Sequence, residues 1–96
     1  MTTLDSIKQL LQELRPELVE KYAVSSIGLF GSIVRDDFTP NSDVDILVEF
    51  NKPIGIEFID LANYLELKIN KRIDLVSKKG IKDAYLSRIE KEVVYV

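Results

Sequence analysis

The sequence predicts a small α/β domain, with a mixed sheet of about three strands flanked by helices. Three observations carry this. Short apolar runs at 25–30, 44–50 and 72–77 have the length and alternation of strands. Segments 3–22 and 56–69 repeat apolar residues at three- and four-residue steps, the helical period. The second of these segments separates two of the strands and is long enough for a right-handed crossover that lays them parallel.

Each element has a local justification. In 3–22, Leu4, Ile7, Leu11, Leu14 and Leu18 form one stripe, and Thr3 suits the N-cap. Pro16 leaves two alternatives: a kink, or a second short helix with Pro16 in its first turn. In strand 25–30, Gly28 reads as a packing residue. Residues 32–36 have room for one helical turn, and 37–42 hold Pro40, Asn41 and Ser42, a loop composition. Ser42 is expected to fix that loop by local hydrogen bonds.

Glu49, near the end of strand 44–50, reads as a surface charge. After a loop with Pro53 and Gly55, helix 56–69 places Phe58, Leu61, Ala62, Leu65 and Ile69 on one face. Ile59 and Leu67 fall off that stripe. Lys68, Lys71 and Arg72 gather near the helix end, where cations suit the dipole or reach phosphates. A last helix, 82–92, carries Tyr85, Ile89 and Val93 at four-residue steps. The apolar tail Val93-Val94-Tyr95-Val96 reads as a short strand or a docking surface.

The chemistry concentrates in 31–45. Asp43 and Asp45 are two apart on a strand, so both carboxylates leave one face, roughly 6–7 Å apart along the chain. Such a pair repels and resists burial, and a divalent cation relieves both problems. Paired hard oxygens suit Mg²⁺, which is commonly shared with substrate phosphates. Upstream, Gly31 lets backbone approach a ligand closely, Ser32 offers a hydroxyl, and Arg35 adds a cation one turn on. Asp74 lies mid-strand in 72–77 and reads either as an edge-strand charge or as a third carboxylate beside Asp43 and Asp45.

Composition narrows the function classes. The 96 residues make one domain, 1–96, with 46% hydrophobic and 30% charged residues, as in soluble globular proteins. A net charge of −3, with no basic run longer than Lys78-Lys79, argues against direct nucleic-acid contact. Without cysteine or histidine, carboxylates are the strong metal ligands that remain. No apolar run is long enough to cross a membrane and no signal-peptide pattern opens the chain, so a cytoplasmic protein is expected.

Gly31-Ser32, Arg35 and Ser42-Asp43-Val44-Asp45 resemble the signature of the DNA polymerase β-type nucleotidyltransferases, and most closely the minimal, MNT or MntA-like, nucleotidyltransferases. The resemblance extends over the first helix, Ile27-Gly28-Leu29-Phe30, Arg72-Ile73-Asp74-Leu75-Val76 and the tail from Ile89 to Val96. The family pattern has glycine where Asp36 stands. If that position needs positive φ, Asp tolerates it better than most residues.

The resemblance implies adenylyl transfer from ATP with two Mg²⁺ ions. Asp43 and Asp45 would ligate both, and Asp74 would help hold the catalytic one. Gly31 and Ser32 would hold the β- and γ-phosphates, and Arg35 would contact phosphate or brace the loop. The implied partner is a HEPN-type toxin, modified on a tyrosine, with this chain as its antitoxin in a homo- or hetero-oligomer. Two alternatives stay open: an antitoxin that only occludes its partner, and a stand-alone enzyme acting on a small alcohol or an RNA end.

Overall fold

A computed structural model describes residues 2–96. The chain runs α1 (Thr3–Tyr22), β1 (Val24–Phe30), α2 (Ser32–Arg35), β2 (Val44–Phe50), α3 (Glu57–Ile69), β3 (Ile73–Ser77), a 3₁₀ turn (Lys78–Gly80), α4 (Asp83–Glu90) and β4 (Val94–Tyr95). The sheet order is β3-β2-β1-β4. β2 and β3 are parallel across α3, and β1 is antiparallel to both β2 and β4.

The apolar stripes dictate the layers. α1 and α3 cover one sheet face, where Ile7, Leu11 and Leu18 meet Ile27, Leu29, Val44, Ile46, Val48, Leu61 and Leu65. Burying each of these large side chains stabilises the fold by about 1.5–3 kcal/mol. The Tyr64 hydroxyl donates to Glu17 and ties the two helices together. The opposite face carries a smaller cluster, Phe30, Leu47 and Ile89, under α4. By strand alternation Asp45 and Asp74 share this second face with Leu47 and Val76.

Three expectations are corrected, and one open alternative, at Pro16, is decided. The cap of α1 is Thr2, whose hydroxyl accepts from the Asp5 N–H at 3.1 Å, one residue before Thr3. α1 passes through Pro16 as one helix, with no second start. Pro16 and Gln12 are both exposed, so the Gln12 carbonyl that loses its i+4 donor faces water. The sheet has four strands rather than three, because the tail adds β4 at the β1 edge: Gly28 pairs with Tyr95 and Leu29 with Val94. A Cβ on Gly28 would lie 2.6 Å from Val93 Cγ1, so that glycine does serve packing.

The third correction concerns α4, which is shorter than 82–92. Leu86 takes the inward position expected for Tyr85, which is 46% exposed. The stripe is Leu86, Ile89 and Val93, at steps of three and four. Ile59 and Leu67 do lie outside the core, 59% and 78% exposed on the outer side of α3.

Candidate active site

Parallel pairing starts β2 and β3 at the same end of the sheet, and antiparallel β1 finishes there. The register sets Asp45 opposite Asp74 on one side and opposite Phe30 on the other. Gly31 follows Phe30 and turns the chain into α2 with φ 78° and ψ −150°. That backbone favours glycine, and a Cβ there would collide with the Asp45 carboxylate. Gly31 is therefore required twice, by its dihedrals and by Asp45.

α2 is one turn long and closes on Asp36, at φ 68° and ψ 22°, whose N–H bonds the Ser32 carbonyl. The position where the family pattern has glycine does use the left-handed region, and Asp36 adopts it. The loop beyond is fixed as expected of Ser42. Its hydroxyl accepts from the Thr39 N–H at 3.1 Å, and its own N–H bonds the Thr39 carbonyl at 2.9 Å.

Asp45 is half-buried, whereas Asp43 and Asp74 are exposed. Burial, then the Asp74 and Asp43 carboxylates, push the Asp45 pKa up to about 6, and the Arg35 guanidinium opposes this. Asp43 faces the same side one residue before β2. Its Oδ1 lies 3.0 Å from Arg72 Nε, while Arg72 Nη2 donates to the Asn41 carbonyl at 2.7 Å. Of the three cations expected to cluster, Arg72 turns to Asp43, Lys68 lies over the Tyr64 ring and Lys71 over Phe38.

Among the described residues, no group of three or more carboxylates is drawn together tightly enough to grip an ion. The donor set nonetheless suits a hard divalent cation. It consists of carboxylate oxygens on one face, and burial together with the Asp74 and Asp43 carboxylates makes the Asp45 charge one that a cation would relieve. Ser32 is half-buried beside Gly31.

Arg35 donates from Nη1 to Glu92 Oε1 at 3.1 Å and lies 4.0 Å from Asp37. Glu92 also accepts the Gly31 N–H at 3.1 Å. Residue-by-residue reading missed Glu92, which lies 61 positions from Gly31 in a segment that looks helical. A groove of about 1300 Å³ opens at the other end of the sheet, by the carboxyl ends of β2 and β3, and includes none of the carboxylates Asp43, Asp45 and Asp74.

A mixed sheet with paired aspartates at the start of one strand, a third on its parallel neighbour and a Gly-Ser turn against them is the arrangement that the resemblance to nucleotidyltransferases implies. The profile of the family described as "Nucleotidyltransferase domain" matches residues 11–96. Protein adenylyltransferase MntA of Thermococcus cleftensis is 43% identical over 97 residues, covering 100% of this chain and 98% of that protein. This chain belongs to the nucleotidyltransferase family, among its minimal, MntA-like members.

Solved structures agree on the fold. A minimal nucleotidyltransferase superposes with a TM-score of 0.82 at 23% identity, over 98% of this chain and 95% of that one. A toxin–antitoxin structure with AMP-PNP gives 0.71 at 24% identity, over 96% and 70%. A tri-AMPylated HEPN toxin of Shewanella oneidensis in complex with MNT antitoxin gives 0.62 at 22%, over 97% and 67%. No helix among the described residues is long and apolar enough to cross a membrane.

Proposed function

We propose that this chain moves AMP from ATP to a protein hydroxyl, a tyrosine of a HEPN-type toxin, and thereby acts as its antitoxin. One observation carries the reading: Asp45 is paired in register with Asp74, packed against Gly31, and has Asp43 on the same side. The AMP-PNP and tri-AMPylated neighbours support ATP as donor and a HEPN protein as acceptor.

Asp43, Asp45 and Asp74 would hold Mg²⁺, which when bound would neutralise phosphate charge as the bond to the leaving group breaks. The acceptor oxygen attacks the α-phosphorus, its bond to the β-phosphate oxygen breaks, and pyrophosphate leaves on the Gly31-Ser32 side. Ser32 offers its hydroxyl to the departing phosphates. A tyrosine acceptor, with a pKa near 10, must shed its proton at neutral pH. In a chain without histidine the site carboxylates are the bases at hand to take it.

The test is the intact mass of the HEPN protein that co-purifies with this chain, before and after Mg²⁺-ATP, with Asp43→Asn alongside. Gain of one or more AMP masses, absent with Asp43→Asn, is expected. An unchanged mass with the toxin still blocked would replace transfer by occlusion.

A further inference from the structure

Glu92 ties the C-terminal segment to the turn at the site. Its Oε1 accepts both the Gly31 N–H at 3.1 Å and Arg35 Nη1 at 3.1 Å, and its Oε2 lies 3.3 Å from the same Arg35 nitrogen. These are two of the donors that the turn could offer an incoming phosphate. A carboxylate there is either a placeholder that ATP displaces or a brace that stays.

The surroundings favour the brace. The Glu92 side chain is 28% exposed, less than its partner Arg35 at 54%. Its backbone is anchored on both sides. The N–H groups of Glu92 and Val93 bond the Ile89 carbonyl at 3.0 and 3.1 Å. Beyond them, β4 pairs with β1, and the Val96 N–H bonds the Ile27 carbonyl at 2.9 Å. Val93 fills the space left by the missing Cβ of Gly28. Withdrawing Glu92 would strain that anchoring and leave the Gly31 N–H and Arg35 without their acceptor.

We propose that Glu92 is a positioning residue for nucleotide binding, holding the Gly31 peptide and the Arg35 guanidinium so that the turn presents Ser32 to the phosphates. This rests on the nucleotidyl-transfer reading above. It also makes Gly31 and Arg35 act through the shape of the turn, with Ser32 the direct contact.

The experiment compares wild type, Glu92→Ala and Glu92→Gln. Calorimetry with Mg²⁺ and AMP-PNP gives the nucleotide affinity, and hydrogen exchange follows the Gly31 amide against the Leu29 amide. Glu92→Ala is expected to weaken AMP-PNP about tenfold, a loss within the range for a charge-assisted hydrogen bond. It should speed exchange at Gly31 but not at Leu29, and raise KM for ATP with little change in kcat. Glu92→Gln keeps an acceptor oxygen and should recover most of the affinity.

Tighter binding in both variants would overturn the brace and make Glu92 a stand-in for phosphate. Unchanged binding and exchange in both would also overturn it. If wild type itself binds no AMP-PNP, the nucleotidyl-transfer reading fails with this proposal, whereas a failure confined to the variants leaves that reading intact.

Discussion

Arg72 reaches from the start of β3 to Asp43, with Nε 3.0 Å from Oδ1, and holds the Asn41 carbonyl with the same guanidinium. One side chain thus pins the loop before β2 and neutralises a carboxylate proposed to bind Mg²⁺. Metal and Arg72 then compete for Asp43.

Arg72→Gln keeps a donor for the Asn41 carbonyl but removes the competing charge. It should lower the Mg²⁺ concentration for half-maximal transfer several-fold at saturating ATP. The pair is exposed, at 70% and 49% for the two side chains. Its loss should therefore cost no more than about 0–1 kcal/mol of stability. A magnesium titration together with a denaturant melt checks both. An increased Mg²⁺ requirement would mean that Arg72 supports the metal-binding form of Asp43.

How much of this site was legible in the sequence depended on sequence distance. Gly31, Asp43 and Asp45 lie within one stretch, and strand alternation fixes which way the two aspartates face. Asp74 needed only the crossover through α3, which the lengths of the elements supply. Glu92 and the Arg72–Asp43 pair needed the folded chain, because a helical or basic pattern does not say where one long side chain ends. The fourth strand is ambiguous in the sequence for a related reason. Two residues cannot display a period, and what makes them a strand is the free edge of β1 beside Gly28.

Asp45 should make the metal-free protein less stable at neutral pH than at acid pH. Its folded pKa, about 6, lies above the ordinary value of 3.8. Between those values the folded state binds more protons than the unfolded chain, so stability falls as pH rises through that window. Asp45→Asn should therefore raise Tm at pH 7.5 in the presence of EDTA, with the gain fading towards pH 4. Thermal melts of the two proteins across pH 4–8 measure this. A pH-independent difference would place the cause outside ionisation.

Gly31→Ala should harm both stability and activity. The alanine Cβ would meet Asp45 and would have to adopt φ 78°. Strain of this kind costs about 1–3 kcal/mol, and the displaced carboxylate should cut AMP transfer at least tenfold. Urea melts and transfer rates on the same preparation test the pair of effects. A variant with normal stability and normal rate would show that the turn relaxes without moving Asp45.

Asp36→Gly should act in the opposite sense. Asp36 closes α2 at φ 68°, with its N–H bonded to the Ser32 carbonyl, a geometry that glycine adopts without Cβ strain. Removing that strain, offset in part by the greater freedom of glycine in the unfolded chain, should raise stability by about 0.5–1 kcal/mol. It also removes a negative charge near the proposed triphosphate position, so KM for ATP should fall while kcat holds. Steady-state kinetics over a range of salt separates the two contributions, because the electrostatic part shrinks as ionic strength rises and the backbone part does not. An unchanged KM at low salt would show that Asp36 lies too far from the nucleotide to matter and has only a structural role at the end of α2.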